Sequence, residues 1–306
     1  MSTAMYPASD PRSTLVSATN SSKAAAPAEM AGMQYGLYYK TEPQEKSAGL
    51  KTWYTRSQNF TAVYSEAEAG VVLERRNQID EYMLIIPDPE TAVEITAKGE
   101  TKAVGGYTVT FIPPGDSTIK VVKGGRIVRF ITERSADVAA KASNAKEYTK
   151  RNPSIPPLQS WPDPVGGFKI RSYPIEIPEQ EGRIGRIYRS TNFMINCSKV
   201  RTEPRDTTKM SPHSHDDFEQ CSLVLHGTYI HHVRWPWLTD KAKWRADEHE
   251  ACGATSVAII PPHAIHTSEA IDTKKNELFD IFCPPRMDFS LKPGSVLNAD
   301  DYPMPK

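Results

Sequence analysis

Short apolar or alternating runs follow one another along most of the chain after about residue 36. The runs are rich in β-branched and aromatic residues, and Gly, Pro, Asn or Asp separates one from the next. Runs of this kind predict strands rather than helices. We therefore predict an all-β chain of sandwich or barrel type, with strands at 70–73, 82–86, 92–95, 107–112, 127–131, 169–172, 184–188, 193–197, 221–225, 228–233, 256–260 and 278–282.

One segment interrupts this pattern between the two groups of strands. Residues 135–150 are rich in Ala and Lys and predict a helix, and turn signals rich in Pro follow it. We predict a first β unit at 31–134, a short helical, Pro-rich linker at 135–165 and a second β unit at 166–306. Residues 1–30 are rich in Ser, Ala, Thr and Pro, which predicts a disordered tail.

The two β units resemble each other in sequence. Residues 80–86 match residues 219–225 in position and character, and a Pro-Pro turn follows downstream in each unit. This match aligns Glu81 with Gln220. The second repeat is the longer one, and its candidate insertion, 234–245, contains Trp235, Trp237 and Trp244.

Charge and cysteine content narrow the classes of function. The 37 Lys and Arg residues balance 37 Asp and Glu residues, so the chain lacks the basic footprint of a general nucleic-acid or anionic-membrane binder. We expect a small-molecule substrate as its partner. The four Cys form no Cys-x-x-Cys pair, which predicts buried free thiols in a reducing compartment. Because the chain has no apolar run of membrane-spanning length and no secretory signal pattern, we expect a cytoplasmic protein.

The distribution of histidine along the chain indicates where a functional site lies. All eight His lie between His213 and His266. His213 and His215 are two residues apart, so on a strand their side chains would point to the same face. Gln220 begins the next predicted strand, and His266 follows the apolar run 256–260. Three imidazoles and one side-chain oxygen that converge inside a barrel predict a site for a first-row divalent metal.

At these residues the sequence resembles the cupin superfamily. Two motifs carry the resemblance: His213, His215, Gln220 and Gly227 match the first, and Gly253, Pro261 and His266 match the second. His263 departs from the second motif, because the family usually has Gly there, and Ala270 replaces its closing Asn. The resemblance implies an all-β bicupin, with two cupin or jelly-roll barrels in one chain, whose second barrel holds the metal.

The fourth ligand is an open point of the resemblance. Cupins usually have an acidic ligand, and this position is Gln220 or Glu219, depending on the spacing counted from His215. Gln220 is favoured, because it keeps the family's spacing to Gly227. A neutral amide leaves the metal its full double charge, which strengthens Lewis acidity.

The first unit lacks the ligands of the second. Its corresponding positions are Glu74, Arg76, Glu81 and Thr118. An Arg in place of a ligand His repels a cation, so we predict a metal-free barrel with a structural or dimerising role. We expect a homodimer.

The resemblance implies a metal-dependent enzyme that acts on a small organic acid or an aromatic compound. Fe(II) is the favoured cofactor and dioxygenation the leading reaction. With Mn, Zn or Ni, the resemblance implies instead an isomerase, lyase or decarboxylase that polarises a carbonyl group. A non-catalytic ligand-binding or storage cupin is the alternative from another class.

Further residues near the motifs are candidates for roles in catalysis or binding. Arg234, His232 and His226 are the predicted catalytic residues. Arg234 begins the Trp-containing insertion, which is either a lid with an arginine for a substrate carboxylate or a segment packed on the barrel or on a second subunit. Arg286 is a candidate anchor for a substrate anion, with a structural salt bridge as its alternative.

Overall fold

The computed structural model describes residues 11–14, 27–181 and 183–305 of the chain. Most of the predicted disordered tail, 1–30, lies outside the described residues. Strands dominate the described residues, so the all-β prediction is confirmed. The strands are β1 Gln34–Leu37, β2 Glu45–Ser47, β3 Leu50–Arg56, β4 Phe60–Ala67, β5 Val72–Gln78, β6 Tyr82–Ile86, β7 Ala92–Ala97, β8 Glu100–Gly105, β9 Thr108–Ile112, β10 Gly115–Lys123, β11 Gly125–Thr132, β12 Arg171–Pro174, β13 Arg186–Arg189, β14 Met194–Cys197, β15 Gln220–His226, β16 Thr228–Arg234, β17 Glu248–Gly253, β18 Ser256–Ile260, β19 Ile265–Ala270 and β20 Glu277–Phe282; the helices are α1 Ala136–Ala139 and α2 Met287–Leu291, with 3-10 turns at Pro11–Thr14, Ala145–Tyr148, Thr207–Lys209 and Lys241–Lys243.

The first barrel consists of two antiparallel sheets packed face to face. Their strand orders are β12-β9-β6-β11-β4-β3-β2 and β5-β10-β7-β8. Alternation along β7 explains how the smaller sheet closes the barrel, because Val93, Ile95 and Ala97 are buried while Glu94 and Thr96 between them are exposed. The inward side chains of both sheets form one apolar core inside the barrel.

The second barrel has the same two-sheet plan. Its sheets have the orders β1-β18-β15-β20-β14-β13 and β17-β16-β19. The central strand β15 is buried on both faces. Cys221 and Leu223 belong to the core shared with the first barrel, so Gln220 and Ser222 point to the opposite face, into the interior of the second barrel.

The largest apolar core of the described residues lies between the two barrels. Phe60 of β4, Phe130 of β11 and Phe193 before β14 meet there, with ring centroids 5.8 to 6.4 Å apart. The large sheets of both barrels therefore carry apolar side chains on both faces. This double burial explains the continuous apolar run Tyr82–Ile86, which a strand with one solvated face would not have.

Each barrel contributes one strand to the large sheet of the other. β1 precedes all strands of the first barrel but pairs with β18 of the second, with Gln34 opposite Ile259. β12 follows the helical segment but pairs with β9 of the first barrel, with Arg171 opposite Phe111. The predicted bounds of the two units, 31–134 and 166–306, do not include these two exchanges.

Each barrel also binds a buried carboxyl group of the other. The Glu219 carboxyl, just before β15, accepts hydrogen bonds from the Gln58 backbone N–H at 2.6 Å and the Tyr148 hydroxyl at 2.9 Å. In the reverse direction, the Glu81 carboxyl, just before β6, accepts from the Thr191 N–H at 3.2 Å and the Tyr302 hydroxyl at 2.8 Å. Burial raises the pKa of both carboxyl groups to about 7.

This reciprocity corrects the sequence alignment of the two repeats. Glu81 is equivalent to Glu219, because each precedes its strand and buries its carboxyl between the barrels. The alignment of Glu81 with Gln220 was therefore wrong by one residue. Tyr82 takes the position of Gln220, and its hydroxyl lies 2.9 Å from the Ser117 hydroxyl inside the first barrel.

The helix predicted at 135–150 is reduced to α1 and a 3-10 turn at Ala145–Tyr148. α1 ends at Ala139, and its own residues bury little apolar surface, so tertiary packing does not extend it. The Asn144 side chain then fixes the following segment to β3: it accepts a hydrogen bond from the Arg56 N–H and donates one to the Arg56 carbonyl, both at 2.9 Å.

Two other expectations from composition are addressed by the structure. All four Cys are free and buried, as predicted. No helix in the described ranges is long and apolar enough to cross a membrane.

Candidate metal centre

His213 and His266 meet through their backbones at the mouth of the second barrel. The N–H of His213 donates to the His266 carbonyl at 3.1 Å, and the N–H of His266 donates to the His213 carbonyl at 2.8 Å. This antiparallel bridge joins the segment before β15 to the start of β19. It places two imidazoles from distant parts of the sequence side by side.

His215 completes a cluster of three imidazoles. The ring centroids lie 4.4 Å apart for His213 and His266, 5.0 Å for His213 and His215, and 5.3 Å for His215 and His266. One potential ligand nitrogen of each ring lies within 4.8 Å of the other two. The sequence analysis predicted that these three residues converge, and in the structure they form one cluster. Metal binding by them stays a prediction.

Backbone carbonyl groups orient two of the rings. His213 Nδ1 lies 2.9 Å from the Ser211 carbonyl oxygen, and His266 Nδ1 lies 3.0 Å from the Ala264 carbonyl oxygen. An Nδ1–H donated to a carbonyl leaves Nε2 with its lone pair, which is the tautomer that a metal ligand needs. Nε2 of His266 is buried and has no hydrogen-bond partner. The donor set therefore fits a divalent metal ion.

The three imidazoles are held in their neutral form. Burial lowers the pKa of His213 and His215 well below the usual value and that of His266 to about 4. The positive charge of Arg286 lowers the pKa of all three imidazoles further. The positive charge of Arg12 does the same for His213 and His266. A neutral imidazole is the form that coordinates a metal.

Gln220 faces the cluster and Glu219 does not. Gln220 Oε1 lies 2.9 Å from His215 Nε2, whereas the Glu219 carboxyl is bound between the barrels as described above. Successive residues of a strand point to opposite faces, so only one of the two can reach the site. The assignment of Gln220 as the fourth ligand stays a prediction that this placement favours.

A partly buried carboxyl group lies behind Gln220. The Gln220 amide donates to Asp280 Oδ1 at 2.8 Å, and the Ser222 hydroxyl donates to the same oxygen at 2.7 Å. These bonds fix the amide with its oxygen toward His215. Burial raises the pKa of Asp280. The sequence analysis missed Asp280, because a single Asp on an apolar strand carries no motif.

Aromatic rings and one arginine line the side of the site next to His215. Phe218 stacks on His215 with a centroid separation of 4.5 Å, and Phe282 packs edge-on at 6.2 Å. The Arg286 guanidinium lies over the rings of Phe282 and Phe289, at 4.9 and 4.1 Å. Its Nε also donates to Asp288 at 3.0 Å. The salt bridge expected as the alternative role of Arg286 is therefore present, and the guanidinium nevertheless acts electrostatically on the three imidazoles.

His231 is a second residue that the sequence analysis did not select. On β16, Tyr229, His231 and Val233 are buried, while His232 and Arg234 point outward. His231 Nδ1 lies 2.9 Å from the Ser268 hydroxyl, and its buried Nε2 has no hydrogen-bond partner. Burial and the nearby His266 lower its pKa to about 3. The sequence analysis selected the adjacent His232 instead, because the facing of this strand is not decidable from the sequence.

The three predicted catalytic residues lie away from the imidazole cluster. His232 is on the outer face of β16, where Nδ1 lies 2.7 Å from His249 Nδ1 and Nε2 lies 2.8 Å from a Glu269 oxygen. Arg234 is exposed and pairs with Asp247 at 2.9 Å. Strand alternation explains both positions. These outward positions do not favour a catalytic role for His232 or Arg234.

His226 lies at the far end of β15 from Gln220, about 20 Å along the strand. Its Nε2 is 3.3 Å from the Arg126 guanidinium, at the junction of the two barrels. Burial, and then the charge of Arg126, lower the pKa of His226 to about 4. This position connects His226 with the barrel junction and not with the metal centre.

The Trp-containing insertion divides its rings between two environments. Trp235 is buried in a small apolar core with Met30 and Met33. Trp237 and Trp244 stack on each other outside that core, with centroids 4.6 Å apart and planes at 4°, and Trp237 is 78% exposed. The packing alternative applies to Trp235, and the exposed pair leaves the lid and interface alternatives open.

Other sequence-selected positions have structural explanations. His263, in place of the family's Gly, adopts a left-handed backbone conformation with φ 67°. Its N–H donates to the His215 carbonyl at 2.6 Å, so the tight turn supports a predicted ligand residue although a non-Gly residue there is strained. In the first unit, Glu74 and Arg76 are exposed on β5 and pair with each other at 3.3 Å.

Comparison with known proteins supports the fold. No protein-family model and no curated protein matches the sequence. Among solved structures, AerE from Microcystis aeruginosa matches with a TM-score of 0.51 at 8% identity, over 80% of this chain and 97% of AerE. Oxalate decarboxylase from Lactobacillus farciminis, in a formate complex, matches with a TM-score of 0.51 at 14% identity, over 82% of this chain and 86% of its own.

A third match is oxalate decarboxylase from Bacillus subtilis, in a study of its Mn(II) centres. The TM-score is 0.51 at 14% identity, over 86% of this chain and 82% of that one. These matches span most of both chains, so the likeness covers both barrels. The chain has the two-barrel cupin fold.

Proposed function

We propose that this protein is a metal-dependent enzyme that acts on a small organic acid in its second barrel, by lyase or decarboxylase chemistry. The observation that carries the proposal is the cluster of His213, His215 and His266, whose potential ligand nitrogens lie within 4.8 Å of one another. Gln220 is the proposed fourth ligand. A divalent metal bound there would polarise a substrate carboxylate or carbonyl group as a Lewis acid.

The charge of the donor set favours this chemistry. Three imidazoles and an amide are neutral, so none of the charge of the metal is cancelled by a direct ligand. The carboxyl group of Asp280 lies one residue further out, where it orients Gln220. A site of this composition retains strong attraction for an anionic substrate.

The surroundings also favour a small anion. Arg286 and Arg12 both act on the imidazole cluster as positive charges. The rings of Phe218, Phe282 and Phe289 surround the Arg286 guanidinium on the side next to His215, and this apolar environment strengthens its electrostatic interactions. His231, with its unpartnered inward Nε2, is placed to hydrogen bond a bound substrate. The structural likeness to oxalate decarboxylases, one of them described with Mn(II) centres, supports Mn(II) as the first metal to test.

A dioxygenase with Fe(II) is the second candidate. The phenylalanine rings beside His215 favour it, because an apolar ring fits an aromatic-lined site. The two candidates differ in one measurable quantity, since a lyase or decarboxylase reaction consumes no net O2.

The test combines metal analysis with simultaneous measurement of CO2 release and O2 uptake. Protein purified without chelator or added metal is analysed for Mn, Fe, Zn and Ni. It is then incubated with oxalate, small keto acids, hydroxybenzoates and catechols while CO2 release and O2 uptake are recorded. We expect about one metal equivalent per chain and turnover of a small acid without O2 uptake.

Two variants make this test specific. The His213→Ala/His266→Ala variant is expected to lose the metal, and His249→Ala, on the outer face of the sheet, is expected to keep it. Full metal content in the double variant, or no metal in the wild-type protein, would refute the proposed site. O2 uptake stoichiometric with substrate loss would replace the lyase with the dioxygenase.

A further inference from the structure

We propose that the interior of the first barrel binds a small carboxylate through the guanidinium group of Arg129. Three independent observations carry this inference: a cavity, a buried cation without a counter-ion, and an inversion of charge relative to the second barrel. The site goes beyond the proposed metal enzyme and does not depend on it.

The cavity lies between β3, β4, β5 and β11 and is covered on one side by α1. Its volume is about 190 Å³, comparable with about six molecules of liquid water. Leu50, Val63 and Leu73 form an apolar part of its wall, and Tyr54 and Thr52 provide hydroxyl groups. A cavity of this size and composition fits a short organic acid.

Arg129 reaches this cavity from a central strand. β11 lies between β4 and β6, with Arg129 opposite Val63 and Leu84. It shares the inward face of β11 with Ile127 and Ile131 of the barrel core. The residue is only 6% exposed, and it lines the cavity wall.

The guanidinium group of Arg129 forms no ion pair and no hydrogen bond with any other described residue, and its Nε is buried without a partner. Glu45 attracts it electrostatically, but the Glu45 carboxylate is paired with Lys141. A buried charge without a partner costs several kcal/mol. An arginine does not avoid this cost by deprotonation. Binding of an anion would remove it.

The other charges at the cavity are already paired. Lys141 Nζ lies 2.7 Å from a Glu45 oxygen, and the Tyr54 hydroxyl also donates to Glu45. Arg75 binds Asp137 at 2.6 Å. Glu74 at the rim pairs with Arg76. Since these ion pairs balance one another, the charge of Arg129 remains as an uncompensated positive charge inside the barrel.

The pseudo-symmetry of the two barrels gives the third observation. Tyr82 is equivalent to Gln220, so Leu84 is equivalent to Ser222. Leu84 lies opposite Arg129 on β11, and Ser222 lies opposite Asp280 on β20. Arg129 therefore occupies the position of Asp280, and a basic residue replaces an acidic one at the same point of the repeat.

This replacement inverts the electrostatics of the barrel interior. The second barrel directs imidazole and amide groups toward the proposed site for a cation, and the carboxyl group of Asp280 lies behind that amide. The first barrel directs a guanidinium group and the hydroxyl groups of Thr52 and Tyr54 to the wall of its cavity. A carboxylate fits the planar fork of an arginine with two parallel hydrogen bonds. The apolar wall favours an aliphatic acid over inorganic phosphate, which has no carbon skeleton to bury.

The test is a ligand titration followed by thermal unfolding. Acetate, oxalate, malonate and succinate are added to the protein, with inorganic phosphate as a separate arm and NaCl at matched ionic strength as the salt control. Every titration is repeated after metal removal with a chelator. We expect a saturable rise in Tm with at least one carboxylate that persists after metal removal, and a smaller rise with phosphate.

Variants assign the response to Arg129. Arg129→Met is expected to abolish the rise and, in the absence of ligand, to leave Tm unchanged or higher, because an unpaired buried charge is removed. Arg129→Lys keeps the charge without the fork and is expected to weaken binding without abolishing it. Lys120→Met, an exposed charge change on the same barrel, is the matched control and is expected to behave as wild type.

Several results would overturn the proposal. They are a rise in Tm that persists in Arg129→Met, a response that disappears with the metal, an equal response to NaCl, or no saturable response to any carboxylate. A response to phosphate alone would replace the carboxylate with an inorganic anion. If Arg129→Met does not fold, the Arg129→Lys titration decides, since unchanged affinity there would exclude recognition by the arginine fork.

Discussion

The buried carboxyl groups between the barrels make stability depend on pH in a defined direction. Burial raises the pKa of Glu219 from 4.5 to about 7, more than its hydrogen bonds with Gln58 and Tyr148 lower it. Between these two pH values the folded chain holds a proton on Glu219 that the unfolded chain has released. Stability contributed by this group is therefore complete below pH 4.5 and is lost as the pH rises through 7.

Replacement of Glu219 by Gln removes this titration. The difference between 4.5 and about 7 corresponds to about 3 kcal/mol. The amide oxygen of Gln can still accept from the Gln58 N–H, and the amide nitrogen can donate to the Tyr148 hydroxyl. We expect Glu219→Gln to be close to wild type at pH 4.5 and to gain up to about 3 kcal/mol relative to wild type at pH 8.

The assay is urea unfolding of the wild type and the variant at several pH values between 4.5 and 8, followed by tryptophan fluorescence. Glu81→Gln is expected to show the same sign, since its carboxyl is buried in the equivalent place. Glu90→Gln, at an exposed position, is the control and should change little at any pH. A Glu219→Gln variant that loses the same stability at pH 4.5 and pH 8, or loses more at pH 8, would refute the reasoning.

Three further predictions concern the metal centre and the barrel junction. His266→Ala should reduce bound metal, measured by elemental analysis, to a small fraction of the wild-type content, because one of three imidazoles is lost. Gln220→Ala should weaken metal affinity about 10-fold or more, while Glu219→Ala should leave it nearly unchanged; the reverse order in a competition titration would make Glu219 the ligand. Arg126→Met should destabilise the protein by about 2 kcal/mol in urea unfolding, because Arg126 binds Asp88 and donates to the Leu225 carbonyl of the other barrel at 2.6 Å; an unchanged midpoint would contradict this.

The sequence pattern predicted those features that local spacing determines. The alternating and apolar runs identified most strands, and the separation of His213 and His215 with a later His266 identified the imidazole cluster. These predictions succeed because strand alternation and tight turns are local properties of the backbone.

The features that the sequence did not reveal depend on long-range pairing. The inward facing of His231 instead of His232 depends on the register of β16 against β17 and β19. The recruitment of Asp280 depends on the pairing of β15 with β20. The shift of the repeat alignment by one residue was visible only once Glu81 and Glu219 were found in equivalent contacts.

The exchange of β1 and β12 has a consequence for any attempt to divide the chain. Expression of residues 166–306 alone would leave β18 without its neighbour Gln34–Leu37, and a fragment that ends before residue 166 would leave β9 without Arg171–Pro174. Each half would then have an open apolar edge, which promotes aggregation. Each half needs a strand from the other, so the two halves must be produced in one polypeptide or mixed during refolding to form both native sheets.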